Sequence, residues 1–216
     1  LIFHEGNITE NQQQYISNQT PELKIKFVNI ANGKAFRRHK EFVRWDGCEA
    51  FGMGYRHMCS FWFIDFWHFV KDYDLLLRID DDCTIQCNID NIFKLLEKHI
   101  FVSGREEPDL DYVTIGMNAL TVGFMKNNLP SREASKKYPP TGPYTNVIAI
   151  NLSQVRKEPL FKKYVDCIDE SNGIYTNRWG DLPLWGEAIH YIFGDKSLKI
   201  DTDLKYYHGS HNTQVN

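Results

Sequence analysis

No long apolar run occurs in this chain. Its densest hydrophobic stretch, "FWFIDFWHFV" over residues 61–70, already contains Asp65 and His68 and is about half as long as a membrane-crossing helix must be. The opening "LIFHEGNITE" has no basic segment followed by an apolar signal core, so a soluble chain without a membrane span is expected. Positive charge is scarce too: 25 Lys and Arg against 28 Asp and Glu leave −3, which excludes extended nucleic-acid binding. The five cysteines (Cys48, Cys59, Cys83, Cys87, Cys167) form no Cys-x-x-Cys pair and no zinc spacing, and are expected as free thiols in a reducing compartment. Sequons at Asn7, Asn18 and Asn151 would matter only on a secretory route and are taken as chance matches. Repeats are absent. With 42% hydrophobic and 14% aromatic residues in 216, disorder is excluded and one domain over 1–216 is expected.

What is present is an alternation of β-rich and helical stretches, the pattern of an α/β layer structure. Strands are expected at 1–5, 23–30, 73–80, 111–116 and 146–153, with two more near the end. Helices are expected at 9–18, 55–70, 88–99 with Asp90 as N-cap, 159–171, and 181–193 with Pro183 in the first turn. The basic stretch 31–50, with Trp45, and the Pro- and Lys-rich stretch 126–144 are expected as loops. The apolar run "YDLLLRID" is expected to be a strand covered on both faces.

That strand ends in Asp80-Asp81-Asp82. Three crowded carboxylates repel unless something positive sits among them, so they either point into water or hold a cation. Alternation puts Asp80 and Asp82 on one side, and hard oxygen donors suit Mg²⁺ or Mn²⁺ with positions left for substrate phosphates. Arg78 is either a counterion for the aspartates or a phosphate ligand. Arg56 and His57 open a helix, where anions bind readily. Asp181, in the "RWGD" turn, is either an N-cap or a carboxylate held at an acceptor, with Trp179 as a flat surface for a sugar. His208 gains a role only if the tail folds back over the aspartates.

"YRHMCSFW", "LLLRIDDDCTIQCNIDNIFKLLE", "YTNVIAIN" and "NGIYTNRWGDLPLWGEAIHYIF…LKYYHGSH" resemble, in the same order, blocks of the fungal α-1,2-mannosyltransferases. The resemblance covers residues 55 to about 100 and 144 to 211. It implies a single GT-A (Rossmann-like) nucleotide-sugar-binding domain with a mixed central sheet flanked by helices, residues 1–100 binding nucleotide and metal and 101–216 the acceptor. The family's metal motif falls on Asp80-Asp81-Asp82, its Tyr-Arg-His on Tyr55, Arg56 and His57 near the nucleotide, its Trp-Gly-Asp turn on Trp179, Gly180 and Asp181, and its metal-binding histidine on His208. The glutamate proposed as the family's nucleophile is replaced here by Ile148, two residues after Asn146. Chain size and "FHEGNIT", which contains His4, resemble more closely the small GT-A domain at the N-terminus of a multidomain chlorella-virus glycosyltransferase. This resemblance implies a UDP-sugar donor and the cytoplasm of an infected cell.

The function expected is Mn²⁺-dependent (or Mg²⁺-dependent) transfer from a UDP-sugar to a glycan acceptor, with GDP-mannose as the alternative donor. Asp82 and His208 are expected to bind the metal, with Asp80 on metal or ribose. His4, Tyr55, Arg56, Arg78 and Trp179 are expected around the nucleotide. The resemblance implies retention, which would require front-face attack; inversion would need a base, Asp181 first and Glu187 second. A metal-dependent phosphoesterase and a non-catalytic sugar-binding module are the rivals.

Overall fold

The computed structural model describes residues 1–32, 52–130 and 140–216. Most of the loop expected over 31–50, with Trp45 and Cys48, and the centre of the loop expected over 126–144 lie outside the described residues. The chain gathers into two compact units, Leu1–Glu41 and Phe42–Asn216.

In the first unit β1 (Ile2–His4) pairs parallel with β2 (Phe27–Asn29) across α1 (Glu10–Gln19). Thr9 caps α1 in a capping box, its hydroxyl accepting from the Gln12 amide while the Gln12 side chain accepts from the Thr9 amide. The strand expected over 23–30 is thus confined to its last apolar residues.

The second unit opens with α2 (Met53–Ser60), which widens into a π-helical turn at 61–65 and a 3₁₀ turn at 66–68. One uniform helix over 55–70 is therefore corrected: the backbone bonding widens at 61–65 and tightens at 66–68, a change that side-chain pattern does not report. Next come β3 (Leu75–Ile79), β4 (Cys83–Ile85), α3 (Ile89–Leu95), β5 (Phe101–Ser103), β6 (Glu106–Pro108) and α4 (Met117–Asn128). The cap of α3 is Asn88, whose side chain accepts from the Asp90 amide, rather than Asp90. A 3₁₀ turn at 111–113 stands where a strand was expected. The second half carries β7 (Thr141–Pro143), β8 (Val147–Asn151), α5 (Leu152–Val155), α6 (Pro159–Ser171), α7 (Gly173–Thr176), α8 (Asp181–Ala188), β9 (Leu198–Ile200), β10 (Tyr206–His208) and β11 (Thr213–Val215). Helix α8 continues as a π-helical turn over 189–193.

The main sheet is mixed, in the order β3-β8-β5-β9, with only β5 and β9 parallel. Residues on both sides of position 100 share it. Strand β8 lies inside the sheet, buried from Val147 to Ile150. Among the described residues strand β3 is the edge of this sheet, with Leu75 and Ile79 exposed, so there the expectation of a strand covered on both faces is not met. A second sheet, β11-β10-β4, brings the chain's end beside the segment after β3. Trp185 of α8 centres an aromatic core with Phe63, Phe66, Phe101 and Phe161, worth about 0.5–1.5 kcal/mol per pair beyond burial. Helix α8 also lies hard against β7: a Cβ on Gly142 would stand 1.9 Å from the Leu182 carbonyl oxygen, and one on Gly186 1.8 Å from that of Thr141.

Candidate active site

The aspartate run begins where β3 ends. Ile79 is its last paired residue, the Asp80 amide donates to the Asn146 carbonyl, and a turn closed by the Cys83 amide on the Asp80 carbonyl leads into β4. This turn separates the aspartates by environment. Asp80 faces back to Arg78, which holds it bidentately through Nε at 2.8 Å and Nη2 at 3.1 Å. Burial, opposed by Arg78 and reinforced by the nearby Asp181 and Asp82, holds the Asp80 carboxyl above the ordinary value. Asp81 is exposed.

Arg78 has a second carboxylate: its Nη1 donates to Asp181 Oδ2 at 2.5 Å, and its guanidinium lies 4.3 Å from the Trp62 ring centroid. Despite burial, the Asp181 and Asp80 charges keep it firmly protonated. Of its two readings, the geometry fits the counterion. Asp181 is equally committed. It occupies the first turn of α8 after Gly180, which is the N-cap residue, and is buried against Arg78. The second base candidate, Glu187, is buried in α8 and accepts from Asn118 of α4 at 3.1 and 3.3 Å.

Asp82 turns the other way, towards the tail. Antiparallel pairing of β4 with β10 sets His208 opposite Cys83, and the Gly209 amide donates to the Asp82 carbonyl. The condition set for His208 is met: its Nε2 stands 3.0 Å from Asp82 Oδ2. The other ring nitrogen, Nδ1, is 2.9 Å from the Tyr144 hydroxyl, which also lies 2.9 Å from His211 Nδ1. A partner on Nδ1 fixes how Nε2 is presented, as histidine ligands require. Partial burial raises the Asp82 pKa, but bonds from Ser210 and the His208 charge outweigh it and hold the carboxyl below its usual range. Ligand atoms of Asp82, Cys83 and His208 lie within 4.8 Å of one another. An oxygen and an imidazole at this spacing fit a divalent cation. Asp80 belongs to the Arg78 pair instead.

The nucleotide candidates divide. Arg56 is buried in α2 and donates to the Tyr175 carbonyl, while His57 Nδ1 is 3.1 Å from the Tyr175 hydroxyl. Burial, then Cys59 and Asp181, raise the Tyr55 pKa; Arg178 lies 4.8 Å from its ring centroid. Trp179 is buried, its indole donating to the Ile115 carbonyl and its ring filling the space where a Gly173 Cβ would be 2.2 Å away. A sugar-stacking surface at Trp179 is therefore corrected: the ring wedges the turn against α7. His4 ends β1 in the first unit, its Nδ1 accepting the Gly6 amide. Ile148 is the register partner of Arg78, so the expected nucleophile position is beside the ion pairs and carries no nucleophilic atom.

Two contributors lay beyond sequence reading. Arg178, at φ 62, pairs with Asp109 at 3.1 Å and sets the turn before Trp179. The carboxamide oxygen of Asn146 accepts from the Val147 amide and the Tyr206 hydroxyl, and among the described residues its buried Nδ2 has no partner. An orphaned buried donor next to Asp80 is what a polar ligand would satisfy.

No protein-family profile matches the chain. The glycolipid 2-alpha-mannosyltransferase of Saccharomyces cerevisiae is 28% identical over 170 residues, 71% of this chain and 38% of that protein. The mannosyltransferase Ktr4p of S. cerevisiae superposes with a TM-score of 0.81 at 19% identity over 95% of this chain and 60% of that one. Core-mannan synthase A of Aspergillus fumigatus gives 0.74 at 16% identity over 95% and 64%. This chain resembles the fungal mannosyltransferases in sequence and shares their fold. The α/β, GT-A architecture expected from the sequence is thereby shown. The chain spans only 38% of the length of the yeast glycolipid enzyme.

Proposed function

We propose that this chain transfers mannose from GDP-mannose to a hydroxyl of a glycan acceptor, with Mn²⁺ at Asp82 and His208. The observation that carries the reading is the pairing of those two residues at 3.0 Å beside the Arg78–Asp80 ion pair, in a fold shared with glycosyltransferases. A structure of the yeast neighbour is a complex with GDP, and that of the Aspergillus neighbour is an Mn/GDP form. They support the guanine nucleotide and leave the UDP-sugar expected from the sequence without support.

Bound Mn²⁺ would neutralise charge developing on the leaving diphosphate. The chain's own residues prepare that place. Tyr144 orients the His208 ring, and Ser210 and Gly209 fix Asp82. Arg78 offsets Asp80 and Asp181, so the acidic group does not spend its charge on self-repulsion. We assign Asp181 to positioning Arg78, because its Oδ2 is held by the guanidinium inside a buried pair. Glu187, enclosed with Asn118, is assigned to packing between α4 and α8. With Ile148 at the nucleophile position, retention would proceed by front-face attack. The buried Nδ2 of Asn146 is a donor that a polar group entering beside Asp80 would satisfy.

Mass-spectrometric detection of mannose transfer tests the reading, using GDP-mannose and UDP-sugars with mannoside acceptors. The expected result is a product one hexose heavier with GDP-mannose and Mn²⁺ alone. Phosphate released from simple esters without an acceptor would instead favour the phosphoesterase. Among the described residues no helix is long and apolar enough to cross a membrane. The viral setting, a larger multidomain parent and a cytoplasmic location rest on sequence resemblance and are proposals, testable by fractionation of infected cells.

A further inference from the structure

The cation cluster contains one donor that hard-metal chemistry does not need. Cys83 follows Asp82 and faces His208 across the β4–β10 ladder. Directly opposed residues of antiparallel strands project from one face, so backbone pairing itself sets the thiol beside the imidazole. Cys83 Sγ is 3.7 Å from Asp82 Oδ1, and Oδ2 of that carboxylate is 3.0 Å from His208 Nε2. Ligands of one tetrahedral zinc ion, bound at about 2.0–2.3 Å, stand roughly 3.5 Å apart. The three donor atoms all lie within 4.8 Å of one another, close to that spacing. The Asp82 side chain is 33% exposed, which leaves a fourth position open to water. Tyr144 on Nδ1 of His208 supplies the supporting contact such a ligand uses.

Sulfur changes which ion the cluster prefers. Carboxylate and imidazole suit Mn²⁺ or Mg²⁺ as well as Zn²⁺, whereas a thiolate selects soft ions. We propose that Asp82, Cys83 and His208 form a three-donor site for Zn²⁺ or Cd²⁺, and that a soft ion there displaces Mn²⁺. Displacement rests on the Mn²⁺ reading above; binding of the soft ion does not. On binding, the S–H bond is replaced by a metal–sulfur bond and the proton passes to solvent.

The experiment adds Cd²⁺ to the metal-free whole chain and records the ultraviolet thiolate-to-cadmium charge-transfer band. A band saturating at one equivalent is expected, lost in Cys83→Ser, weakened in His208→Ala and kept in Cys87→Ser and Cys167→Ser. An unchanged band in Cys83→Ser, or Cd²⁺ binding by calorimetry with no band, overturns the proposal. If Cys83→Ser does not fold, alkylation of the wild-type chain decides instead. Saturating Cd²⁺ must protect Cys83 from N-ethylmaleimide in peptide mapping, and an unchanged rate overturns the site. A Cd²⁺ band in a chain that shows no Mn²⁺-dependent GDP binding would leave this site standing and remove the mannosyltransfer reading.

Discussion

Arg78 is the residue on which the acidic group depends. It faces two carboxylates at once, and its charge offsets the repulsion between them. Breaking one partner out of a buried ion pair costs about 3 kcal/mol or more. Asp181→Asn is accordingly expected to lower stability to urea by about that amount and to weaken transfer with it. An Asp181 acting only as a base would lose turnover at unchanged stability. Asp82 gives a pH prediction of definite sign. Its folded pKa is depressed, so its contribution is present above the unfolded carboxylate value, about 3.9, and is lost as pH falls through the lower folded value. The stability difference between wild type and Asp82→Asn is expected to shrink across that window. A constant difference would contradict the Ser210 and His208 contacts. The aspartates and Arg78 were legible because they are neighbours in the chain. The Arg78–Asp181 pair was not, because 103 residues separate its members and either side chain alone has a bland explanation.

Elements were legible where their pattern was periodic. Helix α6 runs over Pro159–Ser171 as expected, with Pro at N1 and Asn172 at φ 56 closing it, because proline and a left-handed asparagine mark both ends. The uniformly apolar 55–70 segment carried no such marks, and its change of helical type went unseen. Nor does a sequence reveal that β7 and α8 meet at two glycines. Gly142→Ala, which would set a Cβ 1.9 Å from backbone, is expected to destabilise by about 4 kcal/mol or more, the range reserved for severe overpacking. Thermal or urea unfolding reads it. A loss under about 1 kcal/mol would contradict the close approach. Gly123, with nothing within 4 Å of an added Cβ, is the control: Gly123→Ala is expected to leave stability unchanged or slightly raised.

At the scale of the molecule, the mixed sheet and the returning tail decide what the aspartates can do. An α/β class and a GT-A resemblance were readable from the order of blocks, but the edge position of β3 depends on β8, more than sixty residues away by the pairing of Leu75 with Asn151. The tail's pairing of His208 with Cys83 likewise brings an isolated histidine to within 3.0 Å of Asp82. Thermal melting with GDP or UDP, each with Mn²⁺ or EDTA, tests that assembly most directly. A ligand at one hundred times its Kd adds about 2.7 kcal/mol, roughly 5–10 °C for a chain of this size. Such a rise is expected with GDP and Mn²⁺, with its disappearance in EDTA and in His208→Ala, and a smaller effect of UDP. A melt unmoved by GDP and Mn²⁺, or a GDP shift that survives both EDTA and His208→Ala, would contradict a metal-bridged nucleotide at Asp82 and His208.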